Sequence, residues 1–168
     1  MQLDADQLVA ALSAKIGSVE PDVALVGIHT GGAWVAEKLH DALKVSLPLG
    51  KLAVTLHRDD FSKIGLHPQK KATDIPFAIE GRHIILVDDV LHSGRTLRAA
   101  LNELFDFGRP ASVKLAVLVD RGRRELPFSA DYVAATMTLD ADQELVLKND
   151  NQKLRFDIQT KNNVQTKN

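Results

Sequence analysis

Cysteine is absent from this chain of 168 residues. Its absence excludes disulfides, thiolate catalysis and Cys-ligated metals, and fits a reducing compartment, here expected to be the cytoplasm. An excess of either charge is also lacking: 21 Lys and Arg stand against 22 Asp and Glu, a formal net charge of −1. No global field therefore recruits nucleic acid or a membrane, and any such contact needs a local patch. No apolar run approaches the roughly 20 residues that span a bilayer. The acidic start, Met1 to Asp6, has no basic segment ahead of an apolar core, so no secretory leader is expected. Repeats and linkers are missing too. What is present is 45% hydrophobic content, enough for one domain over residues 1–160, with a polar tail, 161–168, expected to fray.

The chain is organised around His83–Thr96, HIILVDDVLHSGRT. Ile84, Ile85, Leu86 and Val87 form an apolar run that suits a strand buried on both faces of a parallel sheet, ending in Asp88 and Asp89. Ser93-Gly94-Arg95-Thr96 then opens a helix with Leu97, Leu101, Leu104 and Phe105 at helical spacing. Ligands of open α/β sheets bind beyond the carboxyl ends of strands. Carboxylates accept hydrogen bonds from sugar hydroxyls, and a helix N-terminus offers unpaired N–H groups to a phosphate. The segment thus describes a site for a ribose 5′-phosphate. The acid pair alone is equally compatible with a buried Asp capping the helix; the whole run is far more specific. It is neither a Walker loop nor a dinucleotide fingerprint.

Around this segment the spacing predicts a helix capped by Asp4 or Asp6 and running to about Ile16, with Leu8, Leu12 and Ile16 on one face. Strands follow at Val23–Ile28, Leu52–His57, Val113–Val119 and Tyr132–Ala135, with a second helix from about Gly32 carrying Val35, Leu39 and Leu43 inward. The helix after Gly94 is expected to end at Phe107-Gly108. A hairpin of Glu144–Lys148 and Leu154–Ile158 turns at Asn149–Gln152. Residues 61–76 are aperiodic and basic, the pattern of a lid or binding loop. The sum is an α/β domain with a mostly parallel central sheet flanked by helices and a small hood or hairpin.

Thr55-Leu-His-Arg-Asp-Asp60, Val87–Thr96, Phe107-Gly-Arg-Pro110 and Ala116–Pro127 stand in an order and spacing that resemble the bifunctional pyrimidine operon regulator/uracil phosphoribosyltransferase family. The likeness covers roughly residues 5–148 and is strongest over 82–133. It implies the type I phosphoribosyltransferase fold. It also implies transfer of a ribosyl group from 5-phosphoribosyl 1-pyrophosphate (PRPP) to uracil, with Mg²⁺ bound mainly through PRPP. By the resemblance, Asp88 and Asp89 hold the ribose hydroxyls. Val90, Leu91, His92, Ser93, Gly94, Arg95 and Thr96 wrap the nucleotide, with solvent or Asp106 as the alternative direction for Arg95. The loop His29, Thr30, Gly31 and Gly32 meets pyrophosphate. Many relatives carry arginines flanking this threonine, so His29 and Gly31 are departures, and backbone N–H groups would replace the guanidinium fork. Arg58 closes over pyrophosphate or ends its strand in a surface ion pair; Lys70 and Lys71 read as solvated loop charges. Val119, Asp120 and Arg121 present backbone groups to the base, while Phe128 and Tyr132 read as core.

The family's second activity is binding messenger RNA, with uridine nucleotides as effectors. Arg109, Lys114, Arg121, Arg123 and Arg124 form a local basic cluster, readable as an RNA patch or as a solvated face. Ala134-Ala-Thr-Met137 lacks the lysine the family would place there, which counts against strong RNA binding. Two readings stand beside the uracil enzyme: an RNA-binding attenuation regulator that keeps the pocket as an effector site, and a phosphoribosyltransferase for another base. The resemblance also implies a homo-oligomer, dimer or tetramer. The single tryptophan, Trp34, reads as an interface anchor or as core.

Overall fold

The computed structural model describes residues 2–54 and 72–161. Asp4 ends a short strand, β1 (Gln2–Asp4), and caps α1 (Ala5–Ile16), its carboxylate accepting from the Asp6 and Gln7 amides at 3.0 and 3.3 Å. The helix buries Ala5, Val9 and Leu12; Leu8 and Ile16, expected on one face with Leu12, pack half-buried against the same core. After β2 (Ala24–Ile28) comes α2 (Gly31–Leu43), with Val35 and Leu39 fully buried and Leu43 packed at the edge of the core. Then follow β3 (Gly50–Leu52), β4 (His83–Leu91), α3 (Arg95–Phe105), β5 (Ser112–Asp120), β6 (Tyr132–Thr136), β7 (Gln143–Asp150) and β8 (Lys153–Thr160).

Strands β3-β2-β4-β5-β6 form a five-stranded sheet in which every neighbouring pair is parallel. Its residues alternate between two cores, as the two-residue period of a strand requires. Leu25, Ile85, Val87, Ala116 and Leu118 pack towards α1 and α2. Val26, Ile84, Leu86, Leu115 and Val117 pack towards Leu97, Ala100 and Leu104 of α3. Burial on both faces explains the continuous apolar runs. A second sheet, β1-β8-β7, is antiparallel and covers the α1/α2 side with Leu145, Leu147, Leu154 and Phe156. Its hairpin turns at Asn151 and Gln152, both at positive φ (50° and 68°), the geometry favoured for two-residue connections.

Three expectations need correction, and one strand has no counterpart among them. β4 does not stop at Val87: it continues to Leu91 because β5 pairs beyond the acids, from Asp88 against Val117 to Leu91 against Asp120. The expected strand Leu52–His57 is Gly50–Leu52, since Lys51 bridges to Asp74 and the Ala53 amide turns to Thr73 Oγ1 at 2.9 Å; residues 55–57 lie outside the described residues. α3 ends at Phe105, followed by a tight turn to Gly108, and Phe105 itself is exposed. β1 was not legible, because three residues beside a helix cap carry no pattern of their own; only β8 gives them a partner.

Candidate active site

Pairing of β2 with β4 ends at Gly27 against Val87, while β4 runs on along β5. A crevice therefore opens on the β2 side of Asp88 and Asp89, at the carboxyl edge of the sheet. It is a cleft of about 710 Å³. It is lined by residues 88–94 with Thr96 and Leu97, by Thr30, Gly31 and Trp34 of the β2–α2 segment, by Leu115, Val117 and Arg121, and by residues 144–147 of β7 with Lys161.

The acids are tightly arranged. The Asp89 amide donates to Asp88 Oδ1 and the Val90 amide to Asp89 Oδ1, both at 2.9 Å. Burial first, and then the negative charge of Asp89, push the Asp88 carboxyl well above the ordinary carboxylate range. The loop after β2 lies directly on this pair. A Cβ on Gly31 would stand 2.3 Å from Asp89 Oδ2, and one on Gly32 would stand 2.5 Å from the Val87 carbonyl oxygen. A side chain at Gly31 would therefore displace the Asp89 carboxylate, whereas one at Gly32 would meet the β4 backbone itself. Thr30 occupies the N-cap position of α2 without using its hydroxyl as a cap, and the His29–Thr30 peptide is cis. Of the four loop residues, Thr30 and Gly31 reach the cleft wall and His29 and Gly32 do not.

The turn between β4 and α3 is braced from below. Gly94, at φ 94°, is the N-cap of α3, and the Arg95 amide donates to Ser93 Oγ at 3.2 Å. The Ser93 carbonyl accepts from the Glu125 and Leu126 amides at 2.9 and 3.0 Å. Arg124 adds a clamp: its guanidinium meets both oxygens of Asp120 at 2.8 and 2.6 Å and donates to the His92 carbonyl at 3.0 Å. The Arg124 hydrogen bonds hold the Asp120 carboxyl below its usual range. His92 Nδ1 donates to the Gly122 carbonyl at 3.1 Å, which leaves Nε2 as the other ring nitrogen. Arg95 points neither into the cleft nor to Asp106; it pairs with Glu125 at the surface.

Of the three residues expected to present backbone groups to the base, only Arg121 lines the cleft. Val119 is fully buried and Asp120 is engaged by Arg124 and by the Gly122 amide at 2.9 Å. The backbone here is also engaged: the Arg121 amide donates to Leu91, and the Asp120 carbonyl accepts from Met137, each at 3.0 Å. Phe128 and Tyr132 are half-buried against the two cores, as expected, and neither reaches the cleft. Trp34 does both, packing against the core and walling the cleft one turn along α2 from Thr30. Its place on that first turn was the available signal. Glu144 and Lys161 had none, since only the second sheet brings them there. Arg58, Lys70 and Lys71 lie outside the described residues.

No group of three or more His, Cys, Asp or Glu able to hold a metal occurs among the described residues. An adjacent acid pair without a third ligand fits a hard cation that arrives on substrate oxygens and keeps waters. The cations expected as an RNA patch do not gather. Arg109 and Lys114 lie at the start of β5 and Arg121–Arg124 beyond its end, about 25 Å apart at strand rise, and Arg121 and Arg124 turn inward. No described helix is long and apolar enough to cross a membrane.

Residues 2–145 match the phosphoribosyl transferase domain family. The bifunctional protein PyrR of Ralstonia nicotianae is 51% identical over 153 residues, covering 88% of this chain and 87% of its own. That of Nitrosococcus oceani is 54% identical over 138 residues, covering 81% and 77%. Among solved structures, a hypoxanthine phosphoribosyltransferase of Trypanosoma cruzi in a ternary substrate complex superposes with a TM-score of 0.65 at 21% identity, covering 92% of this chain and 91% of that one. A hypoxanthine-guanine phosphoribosyltransferase of Bacillus anthracis gives 0.64 at 22%, covering 87% and 84%. At those identities the structures speak for the fold alone.

Proposed function

The chain belongs to the phosphoribosyl transferase domain family and, within it, to the bifunctional PyrR proteins, and from that premise we propose that it converts uracil and PRPP to uridine monophosphate and pyrophosphate. The observation that carries the reading is the juxtaposition of Asp88 and Asp89 with the N-terminus of α3 across one cleft. Asp88 and Asp89 accept from the ribose 2′- and 3′-hydroxyls. The amides and hydroxyls of His92 to Thr96 hold the 5′-phosphate at the positive end of α3. Thr30 and the amides beside it meet pyrophosphate. The base lies between this wall and β7. Ribosyl transfer passes through a transition state of oxocarbenium character, so no protein nucleophile is needed; alignment of base and leaving group is. Mg²⁺, carried on PRPP, would supply neutralising charge to the pyrophosphate.

The test is turnover of uracil with PRPP and Mg²⁺, with hypoxanthine, adenine and orotate in parallel. Uridine monophosphate from uracil alone supports the proposal; turnover of another base replaces it with a different phosphoribosyltransferase. A regulator that binds uridine nucleotides without turnover is the second reading. Gly31 favours it, because this position offers no guanidinium to grip pyrophosphate; the dispersed cations tell against its RNA arm.

A further inference from the structure

Three arginines follow β5, and two of them, Arg121 and Arg124, are treated oppositely. Arg124 has Asp120 as a bidentate partner. Arg121 is only 8% exposed, the one buried polar or charged residue among the described residues, yet it forms no ion pair with any of them. Its Nη2 donates to the Gln143 carbonyl at 3.2 Å, and its Nε has no acceptor among the described residues. Burying a cation without a partner is costly, and an orphan donor more so. The guanidinium also walls the cleft, beside β7 and beyond the end of β5.

We propose that the Arg121 side chain, rather than the backbone of residues 119–122, reads the base by donating to a ring carbonyl oxygen. This rests on the proposed phosphoribosyltransferase reaction and names the residue that sets its specificity. Three facts select a base over a phosphate. The amides for phosphate lie on α3 and α2, elsewhere in the lining. The backbone N–H groups of Arg121 and Gly122 are already engaged. The Gln143 contact ties the guanidinium to the β7 wall, where a flat ring would rest. A guanidinium only donates, so it accepts a carbonyl and rejects a ring amino group at the same position. A site built around such a donor discriminates strongly, because the wrong base leaves it unpaired.

The experiment measures binding of uridine monophosphate, cytidine monophosphate, inosine monophosphate, ribose 5-phosphate and inorganic pyrophosphate to wild type, Arg121→Gln and Arg121→Lys by calorimetry. The wild type is expected to prefer the uridine nucleotide. Arg121→Gln is expected to lose about 10- to 100-fold in affinity for it and most of the preference, with ribose 5-phosphate within about twofold of wild type; Arg121→Lys should recover part of the loss. Ribose 5-phosphate is the folding control, since it uses the other wall. Weakening of ribose 5-phosphate or pyrophosphate in parallel, or unchanged uridine monophosphate binding, overturns the assignment. If the wild type instead prefers inosine monophosphate, the uracil reading fails, and Arg121 is judged by whether Arg121→Gln loses that preference.

Discussion

The two walls of the cleft are built by different means. The side proposed to hold the phosphoribose is a nearly contiguous stretch, residues 88–94 with Thr96, whose carboxylates, amides and carbonyls are fixed by short local bonds and by the Arg124 clamp. The rest of the lining comes from α2, the end of β5 and β7, with Trp34 and Glu144 more than a hundred residues apart, and includes the buried Arg121, whose Nε has no acceptor among the described residues. A charge that every relative of the reaction must bind, the phosphate, can be met by a rigid local turn. A base, in the proposed reaction, would be selected by the shape and donors of the space beside β7. Preorganisation lies on one side and choice on the other.

The sharpest way to break that comparison is Asp89→Asn. It removes the charge proposed to hold a ribose hydroxyl while keeping the side chain's shape, and turnover is expected to fall by about 10²-fold or more with a melting temperature no lower than wild type, since the charge pressing on Asp88 is also removed. An active Asp89→Asn protein would sink the role given to this wall. Next in size is Arg124→Met, which strips the bracing from Asp120 and the His92 carbonyl. The loss of these partly buried charged hydrogen bonds is expected to lower stability by about 1–3 kcal/mol, read by urea denaturation, and to weaken ribose 5-phosphate as well as uridine monophosphate. Weakening of the nucleotide alone would place Arg124 on the base side.

The smallest effect concerns stability. The folded Asp88 carboxyl is pushed up by burial and by Asp89, so between the ordinary carboxylate range and the raised value the folded state holds more protons than the unfolded one. Stability from this group is therefore present at low pH and lost as pH rises. Asp88→Asn should melt above wild type near pH 7, with the difference vanishing near pH 4. A difference that grows as pH falls would contradict the assignment of strain to this carboxyl.

The sequence disclosed the two walls unequally for the same physical reason. The apolar run into Asp88-Asp89, the Gly94 turn and the α3 pattern are local, so Ile84–Thr96 could be placed on strand, turn and helix directly. Even there the end of β4 was misjudged, because the four residues after Val87 are strand only by pairing with β5. Arg121 stood out as one cation among several; that Asp120 answers Arg124 and not Arg121 is a matter of folded geometry. Trp34, Glu144 and Lys161 meet only because β1-β8-β7 folds back over the α1/α2 side, and no spacing in the chain records that return.

The division of labour between the walls is most directly tested by amide hydrogen exchange with ribose 5-phosphate and with uridine monophosphate. Ribose 5-phosphate should slow exchange over residues 92–97 alone, and uridine monophosphate over 92–97 and 143–147 together. Protection of β7 by ribose 5-phosphate, or its absence with uridine monophosphate, would contradict the account.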